Sequence, residues 1–286
     1  MSPKFRVRTA EKPQGYWREM RPPRRGLPRL GLRELWEYRD LALILALRDL
    51  QLVYRQTLLG VAWVVLQPLV AMLIFALVFG RLANLPSDGV PYTSFALAGL
   101  TVWTFVSTAV SAAATSLVED RDLVTKVYFP RMLAPVAAVL AATVELLITL
   151  LLLIPVLAID RVVPPVQVLT LPLWIAGAIV LATAVGLWLS AANVLYRDVR
   201  YVLTFLLQAW LFISPVAFSS SLVPDRWKWA YNLNPAAGLI DGMRWALLDG
   251  PSPGWELAVS VGSLLVILVS GAAWFRVAER VFADTI

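Results

Sequence analysis

Tyr54-Arg55-Gln56-Thr57-Leu58-Leu59-Gly60 runs straight into Val61–Phe79, a stretch with no charged residue. A basic amphipathic segment thus hands over to roughly 20 apolar residues, the length that crosses the hydrocarbon core of a bilayer. Inside the apolar run sits Gln67-Pro68, a polar side chain followed by a helix breaker. In a soluble core helix that pair only costs stability. In a membrane it suits a helix beside a cavity, where freed backbone groups and polar side chains find partners.

The rest of the composition agrees. The 286 residues are 59% hydrophobic and 15% charged, with a mean hydropathy of +0.71, against about 25% charged residues in soluble domains. The chain is read as an integral membrane protein. It has no cysteine and no histidine. That removes disulfides, thiolate chemistry, and the commonest general base and metal ligand. Membrane enzymes built on histidine clusters and sulfur-ligated metal sites are therefore not expected. The net charge of +6 is concentrated early in the chain, as topology signals are, and does not indicate nucleic-acid binding. Residues 1–31, rich in Arg and Pro (Arg21-Pro22-Pro23-Arg24-Arg25) and lacking an apolar signal core, read as a flexible cytoplasmic tail. Its arginines, with Arg29, either contact anionic headgroups or only set topology.

From residue 32 to 286 the chain reads as one all-α transmembrane domain. Residues 32–57 carry a polar stripe of Arg33, Glu37, Asp40, Arg48, Gln51 and Arg55. The opposite face holds Leu32, Trp36, Leu43, Leu47, Leu50, Tyr54 and Leu58. That pattern predicts an amphipathic helix lying in the membrane interface. Six spans are expected after it, at about 60–80, 93–117, 133–159, 168–192, 200–220 and 257–275. Pro172 is expected to weaken the fourth and Gln208 the fifth, which Ser214-Pro215 is expected to interrupt. Lys and Arg favour a cytoplasmic N-terminus. Arg121, Lys126 and Arg131, then Arg197 and Arg200, then Arg276 and Arg280 fall inside, and an even number of spans returns the C-terminus to the cytoplasm.

Two connecting segments stand out. Residues 119–131 begin acidic (Glu119, Asp120, Asp122) and end basic (Lys126, Arg131), with Tyr128, Phe129 and Pro130 between. The charge order suits a short helix and its dipole. Such a helix either docks into a partner protein's groove or only enforces topology. Residues 232–248 place Asn234 as an N-cap and Pro235 at the first helical position. They predict a short outer helix, re-entrant or interfacial, that includes Arg244 and Trp245. Glu145 falls near the middle of the third span, where an ionisable group faces the bundle interior for structure or for a polar substrate. The aromatics Trp63, Phe205, Trp210 and Phe212 read either as an interfacial belt or as flat platforms for sugar rings.

Four segments together resemble the ABC-2 type permease subunit of polysaccharide, O-antigen and teichoic-acid exporters. They are 54–60 with Trp63 and Gln67-Pro68; Lys126-Val127-Tyr128-Phe129-Pro130-Arg131; Asn193-Val194-Leu195-Tyr196-Arg197-Asp198-Val199-Arg200; and 234–245. The resemblance covers the chain after residue 31. It implies a homodimer in a bacterial cytoplasmic (inner) membrane, bound to two nucleotide-binding subunits that carry the ATP and Mg²⁺. No phosphate loop lies in this chain. It implies a coupling helix at Asp122, Lys126, Tyr128, Phe129, Pro130 and Arg131, seated on the ATPase. It implies a channel along the first and fifth spans, with Trp63, Gln67, Phe205, Gln208, Trp210 and Phe212 as lining. Its substrate would be a polyprenyl-pyrophosphate-linked glycan, admitted near Arg48 and Arg55, with Arg131 as a further cation. An outer gate would form at Asn234, Pro235, Arg244 and Trp245. The competing readings are an ABC-2 exporter of drugs, lipids or haem, a membrane-embedded enzyme acting on lipid-linked sugars, and a passive channel or scaffold.

Overall fold

The computed structural model describes residues 36–55, 61–121, 129–196 and 198–282. The expected tail 1–31 and the residues Asp122, Lys126, Tyr128 and Arg197 lie outside them. Every regular element among the described residues is helical. In chain order the α-helices are α1 (Arg39–Arg55), α2 (Val61–Phe75), α3 (Tyr92–Glu119), α4 (Leu133–Ile159), α5 (Leu171–Leu195), α6 (Val199–Ile213), α7 (Asp225–Tyr231), α8 (Pro235–Leu248) and α9 (Glu256–Ala278).

Among the described residues five helical runs are long and apolar enough to cross a membrane: Ala62–Leu82, Tyr92–Glu119, Leu133–Ile159, Val166–Leu195 and Glu256–Ala278. Pro172 does not weaken the fourth, as the sequence suggested. It sits in the first turn of α5, where its missing N–H would have had no partner anyway. The expected fifth span is interrupted at Ser214-Pro215, and its helix does not reach residue 220. α6 has 15 residues, about 22 Å of helix, and stops at Ser214, whose backbone is extended. Pro215 cannot continue it.

α3 is the hub. It packs against α2, α4, α5, α6 and α8, and Phe95, Leu97, Phe105, Ala109, Ala113 and Leu117 on it are almost wholly buried. A helix this enclosed needs small residues where its neighbours cross, because bilayer lipid supplies no hydrophobic drive and helices associate by close packing. Gly186 of α5 provides one such crossing, since a Cβ there would come within 2.7 Å of the Ala113 Cβ.

A second cluster closes the end of the bundle that carries α1. Ala42, Leu45 and Ala46 of α1 meet Leu117, Phe129, Met132, Phe275 and Phe282. The face that α1 buries is therefore its small-residue face. Trp36, Leu43, Ile44, Leu47 and Leu52 are left exposed, so the apolar face expected from the periodicity divides between protein and surroundings. α2 and α6 are the least enclosed long apolar helices. Met72 and Pro68 are buried in the first, and Leu203 in the second.

Gly186→Leu should force α3 and α5 apart. A loss of about 1–3 kcal/mol is expected for overpacking of this kind, read as a lower unfolding temperature of the purified protein in detergent. An unchanged temperature would mean the α3–α5 crossing is looser than described.

Candidate functional site: a broken helix held by a buried arginine

Where α6 ends, the backbone carbonyls of the next residues lose their helical partners. The segment from Ser214 to Leu222 has only a short 3₁₀ turn at its end, Ser220–Leu222. In a membrane protein such irregular backbone is tolerated only where the protein itself satisfies it. Arg244, on α8 and 4% exposed, does most of this. Its Nη1 donates to Pro215 O (2.6 Å) and Phe218 O (3.3 Å), and its Nη2 donates to Val216 O (2.9 Å). Tyr92, at the start of α3, donates its hydroxyl to Ala217 O. Four successive carbonyls are thus each given a donor. Arg244 also reaches back to Phe95 O through Nε (3.4 Å) and Nη2 (3.3 Å), and its guanidinium lies 3.5 Å from the Phe95 ring centroid. Burial pushes its pKa down to about 10, which leaves it charged at neutral pH.

Asn234 joins the two halves of this arrangement. Its Oδ1 caps α8 by accepting from Ala236 N (3.1 Å) and also accepts from Trp210 Nε1 (2.8 Å). Its Nδ2 donates to Ser214 Oγ (2.9 Å). One side chain therefore starts α8 and ties down the end of α6. Pro235 follows at the first helical position. The approach of α8 depends on glycines. A Cβ on Gly99 would meet Arg244 Nη2 at 2.7 Å, and one on Gly242 would lie 2.1 Å from the Trp174 ring. Trp245 packs edge-on against Trp174 with centroids 6.4 Å apart.

Three of the four residues expected at an outer gate, Asn234, Pro235 and Arg244, thus converge on the break in α6, and Trp245 supports α8 from the α5 side. Sequence reasoning missed Tyr92, Phe95, Asp88 and Asp241. Ser220 Oγ donates to Asp241 (2.5 Å), while Ser219 and Ser221 donate to Asp88 (2.6 and 3.2 Å). The run Ser219-Ser220-Ser221 after a broken helix was the available signal, being three consecutive hydroxyls in search of acceptors.

The expected channel residues divide. Phe205, Gln208 and Phe212 share the exposed face of α6, with Phe205 69% and Phe212 70% exposed, and Trp63 and Gln67 are exposed on α2. Trp210 points the other way. It bonds Asn234 and meets Trp103 in a T-shaped contact at 5.6 Å.

At the α1 end, Arg48 Nη2 pairs with Asp49 (2.7 Å) and with Asp120 at the end of α3 (2.5 Å). Burial pushes the Asp49 carboxyl above its usual range, although Arg48 opposes the shift. Together with Glu119 and Glu145 these groups line a cavity of about 340 Å³. Arg48 therefore already has two carboxylate partners. The side chain of Arg55 lies outside the description. Phe129 is 5% exposed and anchors its segment in the α1-end cluster. Arg131 donates to Glu279 O (3.1 Å) and lies over the Phe282 ring. Asn193 donates to Ala114 O (2.8 Å), holding α5 to α3.

These features define a multi-pass helical membrane protein with one short, interrupted apolar helix locked by a second helix that folds back over it. The chain belongs to the ABC-2 type transporter family, whose sequence profile matches residues 41–248. It is similar to the O-antigen export system permease protein RfbA of Myxococcus xanthus, 28% identical over 258 residues, covering 89% of this chain and 98% of that protein. It is also similar to a protein of the same name from Klebsiella pneumoniae, 22% identical over 246 residues, covering 86% and 94%.

Arg244→Ala should strip three carbonyls of their donor in a buried site. The expected cost is on the order of 3 kcal/mol or more, since each buried unsatisfied group costs about 1–3 kcal/mol. Arg244→Lys keeps the charge but not the planar fork and should fall between. Thermal unfolding of the three proteins in detergent checks the order.

Proposed function

We propose that this chain is the membrane-spanning permease subunit of an ATP-driven exporter of a polyprenyl-pyrophosphate-linked polysaccharide, of O-antigen, teichoic-acid or galactan type. Two copies form the permease, and two nucleotide-binding subunits supply ATP hydrolysis with Mg²⁺. This chain does no chemistry of its own. The membrane is the bacterial cytoplasmic one. The α1 end and both termini face the cytoplasm, and α8 lies at the outer face.

The observation that carries this reading is the exposed polar-aromatic face of α6, Phe205-Gln208-Phe212, leading to a break that α8 closes. A helix facing only lipid has no use for Gln208. A helix facing a path for a hydroxylated polymer does, because aromatic faces and amides suit sugar rings. α2, with Trp63 and Gln67 on its exposed side, forms the other wall, and the two helices of each copy enclose the path across the dimer. Support also comes from the relatives, which this chain matches over nearly their whole length and which are named for O-antigen export.

The cytoplasmic segment 122–131 seats on the ATPase. Phe129 holds it from inside the permease, and Asp122, Lys126, Tyr128, Pro130 and Arg131 make or shape the contact. The lipid-linked pyrophosphate is admitted at the α1 end, where Arg55 and Arg131 join Arg48. Because Arg48 is already paired, the pyrophosphate competes with Asp49 and Asp120 for it.

Depleting the protein in its host should trap a long polyprenyl-linked glycan in the inner leaflet, measured by extraction and mass analysis of lipid-linked glycans. Only short or monosaccharide-linked lipid would favour an enzyme instead, and no change would favour a drug or lipid exporter. Trp63→Ala and Phe205→Ala should slow export severalfold while leaving resting ATP hydrolysis of the complex unchanged. Wild-type export by both would remove the aromatic path.

A further inference from the structure

At the α8 end, three outer connections and two short helices enclose a cavity of about 250 Å³. Its wall includes Asp88 from the α2–α3 connection and Ser219, Ser220 and Ser221 from the break after α6. Lys228 and Tyr231 of α7, Asp241 and Arg244 of α8, and Ser252 and Glu256 around the start of α9 also line it. Cavities that hold drug-sized ligands run to about 300–1,000 Å³, so this one suits a single ring.

The chemistry of the wall is specific. Ser219 donates to Asp88 and Ser220 to Asp241, while Ser221 donates within the same cluster, its hydroxyl lying 2.8 Å from Ser219 Oγ and 3.2 Å from Asp88. Their protons are therefore spent within the wall, and because Ser219 Oγ also accepts from Ser221, the hydroxyl lone pairs left for the cavity are those of Ser220 and Ser221. The carboxylates add further acceptor positions. The two cations on the wall are already engaged. Lys228 pairs with Asp225 at 2.8 Å, and Arg244 is given over to the carbonyls of Pro215, Val216 and Phe218. The Tyr231 hydroxyl is buried on the same wall, beside the Ser220 side chain. A wall of acceptors needs a ligand rich in donors. Three carboxylates, Asp88, Asp241 and Glu256, disfavour an anion. The cavity also adjoins the break at which the exposed face of α6 ends.

We propose that this cavity is a saccharide subsite that takes one neutral pyranose ring, donating its hydroxyls to Asp88, Asp241 and Glu256, from the glycan chain as it leaves the permease. The proposal rests on the polysaccharide-export reading for the origin of the ring, while the binding chemistry stands on the cavity itself. The subsite selects against acidic sugars and gives the emerging chain a foothold on the outer side of the α6 break.

The test uses the full chain in nanodiscs of sugar-free phospholipid, with saturation-transfer NMR and two probes, methyl α-D-glucopyranoside and D-glucuronate. The neutral pyranoside should receive saturation. The glucuronate should bind about tenfold more weakly or not at all, the discrimination expected from about 1.4 kcal/mol of like-charge repulsion. Ser252 is exposed at the rim, so Ser252→Trp should fill the cavity, abolish the transfer and leave the unfolding temperature unchanged. Glu256→Gln should narrow the gap between the two probes. No transfer to the pyranoside, equal transfer to Ser252→Trp, or a preference for glucuronate overturns the subsite. In the host, Ser252→Trp should slow appearance of the surface glycan. Lost binding with normal export overturns the assignment to the emerging chain. Depletion results separate the two levels: a trapped long polymer together with no saccharide binding removes the subsite alone, and no trapped polymer removes the export reading.

Discussion

A backbone carbonyl in a membrane protein must have a donor, and this fold is arranged around one place where the helix cannot supply it. Pro215 ends α6 after 15 residues, and the carbonyls of residues 215–218 are left without helical partners. Arg244 and Tyr92 satisfy all of them. Much else follows from that requirement. α8 must lie close enough to bring Arg244 in, so Gly99 and Gly242 stand where any side chain would collide. Asn234 must both cap α8 and hold Ser214. The start of α3 must sit beside the break, so that Tyr92 and the Phe95 ring reach it.

A guanidinium suits this role better than an ammonium. Its planar fork addresses several oxygens at once, and its charge is weakly hydrated and tolerates burial. Depressed to about 10, its pKa still leaves it a cation, and the Phe95 ring beneath it replaces part of the lost hydration. The same arrangement gives the break two sets of anchors. Arg244 holds the carbonyls, and Asp88 and Asp241 hold the following serines.

The two ends of the bundle are built on different physics. The α8 end is polar, with a guanidinium, carboxylates and hydroxyls organised round irregular backbone. The α1 end is sealed by Ala42, Leu45 and Ala46 against Phe129, Phe275 and Phe282, with Arg48 tied to Asp120 across it. Phe129 shows how a motif's position and its orientation are separate questions. Its place before Pro130-Arg131 was evident in the sequence, whereas the burial of its ring in the α1-end cluster was not.

What the sequence by itself determined is whatever follows from local pattern. The apolar runs of spanning length, the stop at Ser214-Pro215, the Asn234-Pro235 start of α8 and the amphipathic character of α1 are all properties of neighbouring residues, set by hydropathy, by proline's missing donor and by capping. What only the tertiary structure decided is who satisfies whom. Arg244 and Phe95 are 149 residues apart, and Tyr92 and Ala217 are 125 apart, so no periodicity links them. The split of Trp210 from Phe205 and Phe212, and of Ala42 from Leu43, likewise depends on which neighbour lies against each helix face. Helix formation is a short-range matter of backbone pairing and burial, whereas the partner of a buried charge is chosen by packing that brings distant segments together.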